Sequence, residues 1–157
     1  AFYLIGGIFF LGTSFSLFSL LRSTGLTYVI YLLLISMITD TYAYITGMLI
    51  GRHKLLPDVS PKKTWEGSIG GTVMGTIVGV TYYMTVIDPF VSPVGIILTT
   101  VFLSIVGQFG DLVFSSIKRY FGKKDFSNIM PGHGGILDRL DSVIFIVLGF
   151  MFFMNIL

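Results

Sequence analysis

Between two apolar stretches, residues 115–141 read SSIKRYFGKKDFSNIMPGHGGILDRLD. The lysines and arginines supply fixed positive charge for phosphate, and the aspartates supply the hard oxygen that a divalent cation takes. Asp138 and Asp141 flank Arg139, three residues apart and therefore on adjacent faces of one helical turn. Carboxylates in a first turn favour the helix dipole, which is the plain explanation for them; the chemical one is Mg²⁺ held with phosphate oxygens and water. Gly132, Gly134 and Gly135 surround His133 and let backbone N–H groups approach an anion at a helix start. His133 is a candidate metal ligand, general acid or phosphate donor. No second histidine stands at a zinc spacing and there is no cysteine, so zinc and thiolate sites are not expected.

Three further groups belong to the same chemistry. If a helix continues through residue 118, Asp111, Ser115 and Lys118 fall within a sector of roughly 60°, giving one face a carboxylate, a hydroxyl and an ammonium. A snorkelling lysine at a helix end would account for Lys118 but poorly for Asp111. Asp40 lies about ten residues from the end of an apolar stretch, or ~15 Å deep at ~1.5 Å per residue. An ionised carboxylate there costs on the order of 3 kcal/mol and needs a cation, a watered cavity or a proton, unless it is a polar contact beside Thr41 or Tyr44. Ser60 and Pro61 read as an N-cap and first helical residue, placing Lys62 and Lys63 in a first turn. There they would oppose the dipole by ~0.3–1 kcal/mol each, so an anion should compensate: a triphosphate, or less specifically anionic lipid. Trp65 reads as an interfacial anchor and Glu66 as a local partner for Lys62 or Lys63. Neither a Walker loop nor a dinucleotide glycine motif is present.

The elements that must hold these groups are apolar. Of 157 residues 54% are hydrophobic and 11% charged, with mean hydropathy +0.88, far from the roughly 25% charged of soluble domains. Stretches 1–21, 26–50, 67–87, 94–114 and 142–157 approach or reach the roughly 17–25 residues that span a bilayer. Their length without alternation predicts an all-α transmembrane bundle of about five spans, one domain over residues 1–157, and fits helices much better than barrel strands. The two long polar segments, 51–66 and 115–141, carry nine lysines and arginines against Arg22 alone in the short turns. That bias places the long segments on the cytoplasmic side of the cell membrane. Gly67, Gly71, Gly75 and Gly79 form a four-residue ridge, with Thr72 and Thr76 beside it, for close helix packing within the chain or across a homodimer. The first stretch lacks the basic flank and cleavage site of a signal peptide. A start without methionine and an apolar end suggest a segment of a longer multi-spanning protein.

The run S-x-I-K-R, four residues, K-D-x-S, two residues, M-P-x-H-G-G-I-x-D-R-L-D resembles the signature of the phosphatidate cytidylyltransferase (CDP-diacylglycerol synthase) family, with Met130 where another apolar residue is usual. Residues 60–67, S-P-K-K-T-W-E-G, and 40–47, D-T-x-A-Y-x-x-G, resemble the same family. The family carries further N-terminal spans, so this chain would be a C-terminal portion. The resemblance implies transfer of CMP from CTP to phosphatidic acid, with release of pyrophosphate, and no role for nucleic acid. It implies catalytic roles for Asp111, Lys118, Arg119, His133 and Asp138. Substrate would be held by Asp40, Ser60, Lys62, Lys63, Lys124, Asp125, Gly134, Gly135 and Arg139. Mg²⁺, with a second cation allowed, would sit among Asp111, Asp138, Asp141 and Ser115. The competing reading from another class is a proton- or cation-coupled transporter using Asp40 and Asp111. It leaves the paired lysines and the His-Gly-Gly loop unexplained. A CDP-alcohol phosphotransferase lacks its D-G-x-x-A-R motif here, and a purely lipid-binding subunit would use only the basic loops.

Overall fold

The computed structural model describes residues 2–123, 125–126 and 137–153, with side chains from residue 6 onward and without that of Arg139. Each apolar stretch forms a helix: α1 (Phe2–Thr24), α2 (Leu26–Ile50), α3 (Trp65–Tyr82), α4 (Pro93–Tyr120) and α5 (Leu137–Phe153). A π-helical turn, Tyr83–Ile87, extends α3. Among the described residues, Leu26–Ile50, Trp65–Ile87 and Pro93–Tyr120 are long and apolar enough to cross a membrane, and Leu140–Phe153 is a shorter apolar helix. This is a helical membrane protein.

The glycine ridge sets the tightest packing. Gly67, Gly71, Gly75 and Gly79 are buried, and a Cβ at Gly67 would come 2.5 Å from the carbonyl oxygen of Ala43. No residue with a side chain fits there unless α2 and α3 part. On the opposite side of α3, Ile69, Val73 and Ile77 are exposed at the same four-residue period, as a lipid-facing stripe requires. The ridge is thus spent inside the chain, which removes it as the contact for a homodimer. Gly107 and Gly110 similarly let α4 meet Ile146 and Phe145 of α5. The core between them contains Tyr31, Leu32, Ile35, Ile96, Leu103, Ile146, Val147 and Phe150, and Tyr31 stacks edge-on against Phe150 and Tyr83. Helix α1 packs on α2 and α5.

Residues 54–64 differ from the expected helix start. They form an antiparallel hairpin, β1 (Lys54–Leu56) and β2 (Ser60–Thr64), so Ser60 is no N-cap, Pro61 no first helical residue, and Lys62 and Lys63 no first turn. The physical reason is a better cap four residues on. Thr64 Oγ1 accepts from Gly67 N at 3.1 Å, with Glu66 in the favourable first turn, and the lysines stay out of the unfavourable one. Thr64 fits because Gly47, Gly51 and Gly67 leave it room; a Cβ at Gly47 would lie 2.9 Å from its hydroxyl. Glu66 turns away from both lysines and binds His53 Nδ1 at 2.7 Å, while Trp65 N donates to His53 O, closing the base of the hairpin.

Candidate active site at one end of the bundle

The hairpin lies over the end of the bundle where α2 and α4 finish and α3 and α5 begin. Arg119 Nε donates to Val59 O at 3.3 Å, tying the hairpin turn to α4. The described parts of both long basic segments therefore meet at one end. Beneath the hairpin is a pocket of about 300 Å³ lined by Asp40 and Tyr44 (α2), Lys62 and Lys63 (β2), Ser68 (α3), Gln108 and Asp111 (α4), and Asp138, Asp141 and Ser142 (α5). Its size is at the lower end of small-molecule sites.

Four carboxylates line one pocket, and two are joined to lysines from another element. Lys118 Nζ donates to Asp138 Oδ1 at 2.8 Å, with side chains only 11% and 7% exposed. Asp138 Oδ2 also accepts from Phe126 N at 3.0 Å, and the Phe126 ring lies under the Lys118 ammonium, 5.4 Å away. Lys63 Nζ is 2.5 Å from Asp111 Oδ2, while Ser115 Oγ donates to Asp111 Oδ1 at 3.2 Å. The Lys63 ammonium is buried, yet among the described residues no acceptor stands at a hydrogen-bonding angle to it. Asp141 is buried with Oδ1 accepting from Ser142 N. Asp40 is exposed although it lies mid-helix, so the cleft reaches well into the depth of α2.

The structure brings together Asp40, Lys62, Lys63, Asp111, Asp138 and Asp141. Ser115 and Lys118 stand immediately behind, each bonded to a lining carboxylate. Ser60 is displaced, pairing with Leu56 in the hairpin. Arg119 is exposed and spends its guanidinium on Val59 O and Lys123 O, not on the pocket. Asp125 is half-buried next to Phe126 and outside the pocket lining. Lys124, His133, Gly134, Gly135 and the side chain of Arg139 lie outside the described residues.

Gln108 and Ser68 were not anticipated. Gln108 Nε2 donates to Thr72 Oγ1 at 2.9 Å and to Ser68 O at 3.3 Å. Because Ser68 O can only accept, the nitrogen must face α3. The signal was available: Gln108 precedes Asp111 by three residues, one helical turn on the same face.

The donor set, carboxylates and hydroxyls with no sulfur, has the hardness that Mg²⁺ prefers. As arranged, however, no three acidic or histidine side chains among the described residues converge closely enough to hold an ion. Asp111 and Asp138 are turned to lysines instead.

The profile of the cytidylyltransferase family matches residues 1–157. Curated phosphatidate cytidylyltransferases are similar: that of Staphylococcus haemolyticus (strain JCSC1435) is 46% identical over 138 residues, covering 88% of this chain and 53% of the relative. That of Staphylococcus aureus (strain COL) is 46% identical over 139 residues, with the same coverage. The chain spans about half the length of these curated relatives. With the family profile matched from end to end, the chain belongs to the cytidylyltransferase family.

Proposed function

We propose that this chain carries the reaction centre of a phosphatidate cytidylyltransferase, transferring CMP from CTP to phosphatidic acid. A phosphate oxygen of the lipid attacks the α-phosphorus of CTP. The bond from that phosphorus to the oxygen bridging to the β-phosphate breaks, and pyrophosphate leaves with its electron pair. CDP-diacylglycerol is the product. The observation that carries this reading is one pocket combining four carboxylates with Lys62 and Lys63 at the end of an apolar bundle, where a polar nucleotide and a lipid head group can meet. The names of the relatives support the transferase and lend nothing to the transporter reading.

The chain's own residues supply alignment and charge. Lys62 and Lys63 reach the pocket from β2 and would hold the triphosphate; Lys118, behind Asp138, would face charge developing on the leaving group. Asp40, exposed in the cleft at membrane depth, would line the place where the lipid head group enters. Asp111, Asp138 and Asp141 would hold Mg²⁺ only once Asp111 and Asp138 turn from Lys63 and Lys118, with Ser115 behind Asp111. A bound divalent cation would offset phosphate charge during the displacement. The basic segments would face the cytoplasm across a multi-pass membrane domain, in keeping with their cationic excess.

The test is formation of CDP-diacylglycerol and pyrophosphate from CTP and phosphatidic acid in detergent micelles, with and without Mg²⁺. Asp111→Asn should lower kcat by about 10²–10³, the range for losing one electrostatic group aimed at the transition state. Normal turnover by folded Asp138→Asn and Lys118→Ala proteins would overturn the assignment. Ion flux into proteoliposomes without nucleotide would point to transport instead.

A further inference from the structure

Resting on the cation reading above, we propose that Lys63 and Lys118 are resident counter-ions of Asp111 and Asp138, displaced when a divalent cation binds, so that cation and polyphosphate enter the pocket cooperatively. Three observations combine. The carboxylates suit a hard cation but no three converge. Two of them are held by ammonium groups from other elements. The Lys63 ammonium is buried against Asp111 and has no second acceptor among the described residues.

An ion pair at least partly withdrawn from water that loses one partner strands the other charge, at a cost that grows with its burial. A cation arriving alone at Asp111 would strand the Lys63 ammonium, and a polyphosphate arriving alone at Lys63 would strand the Asp111 carboxylate. When both arrive, the ammonium passes to a phosphate oxygen and the carboxylate to the cation, and no charge is left unpaired. Each ligand thereby tightens the other, and by linkage the factor is equal in both directions. Lys63 is the first member of the exchange, because the Lys63–Asp111 pair lines the pocket with side chains 23% and 26% exposed, while Lys118 stands behind Asp138 with side chains 11% and 7% exposed. Lys62 lines the same pocket without an ion pair among the described residues, and so provides the internal comparison.

The test is the binding of Mn²⁺ alone, without nucleotide, to the purified protein in detergent, read by electron paramagnetic resonance. Lys63→Met should raise Mn²⁺ affinity about tenfold or more, because Asp111 is released in advance. Lys62→Met removes the same charge from the same pocket and should raise it only a few-fold. Lys63→Gln, which keeps a neutral polar group, provides a second variant should methionine impair folding, and it should shift affinity in the same direction. Asp111→Asn should abolish the gain. Equal affinities for the Lys62 and Lys63 variants, or weaker binding after loss of Lys63, would overturn the exchange while leaving the cation site standing. Absence of Mn²⁺ binding from the wild-type protein and all variants would overturn both.

Discussion

Replacing Gly71 by alanine tests whether the α2–α3 distance governs the pocket. An ideal Cβ there would lie 2.5 Å from Thr39 O, 2.8 Å from Ala43 Cβ and 3.0 Å from Ala43 N. Carbon–oxygen contacts relax at roughly 3.3 Å, so α3 must withdraw by roughly 0.8 Å, and the obstacle is backbone that cannot rotate aside. Overpacking of this kind costs about 1–3 kcal/mol. Alanine also recovers about 1 kcal/mol of helix propensity, so a comparison is needed. Gly12 in α1 provides it, since a Cβ there meets nothing within 4 Å. The difference between Gly71→Ala and Gly12→Ala therefore isolates the packing cost, worth roughly 2–4 °C of midpoint per kcal/mol for a chain of this size. Thermal unfolding in detergent should place Gly71→Ala below Gly12→Ala. Turnover should fall too, because the shift exceeds the roughly 0.5 Å tolerance of a catalytic constellation and α3 begins directly after Lys63 and Thr64. If Gly71→Ala melts at or above Gly12→Ala, close packing of α3 on α2 is refuted.

Other perturbations isolate other contacts. Lys118→Met leaves the buried Asp138 without its ammonium and should cost about 3–5 kcal/mol, measured by chemical unfolding in micelles. Thr64→Val keeps the shape but loses the acceptor for Gly67 N, and should lower stability by about 0.5–2 kcal/mol in the same assay. Arg119→Gln should leave the helices intact while releasing the hairpin turn, seen as faster amide hydrogen exchange confined to residues 54–64.

The five helices were legible because apolar runs of this length, without alternation, fit helices in lipid much better than barrel strands. The hairpin was not, because Ser60-Pro61 and Thr64 are both plausible helix starts on local grounds. Thr64 wins through contacts remote in sequence: Gly47 and Gly51 of the preceding segment make the space its side chain occupies. The cost of two lysines in a first turn was the available warning, and the fold removes that cost by ending the strand at Thr64 rather than by supplying an anion. The pairing of Lys63 with Asp111 and of Lys118 with Asp138 was equally hidden. Spacing along α4 groups Asp111 with Lys118, whereas each finds its opposite charge on another element.

How an apolar bundle tolerates such a pocket is answered along α4. Thr100, Ser104, Gln108 and Asp111 recur at four, four and three residues, one stripe of a single helix face. Thr100 Oγ1 meets Tyr31 OH at 2.7 Å, Ser104 Oγ meets Thr39 Oγ1 at 2.9 Å, Gln108 reaches Thr72 and Ser68, and Asp111 meets Lys63. Every rung crosses to another element, and polarity rises from hydroxyl to amide to carboxylate toward the pocket. A buried polar group without a partner costs several kcal/mol in lipid, so each rung is tolerable only because its partner is already in place. That requirement ties α4 to α2, then α3, then β2 in order of height, fixing the register of the bundle as well as its charge. The stripe itself could be read in the sequence. Its partners could not, because they are chosen by a helix approach that only Gly67, Gly71 and Gly75 allow.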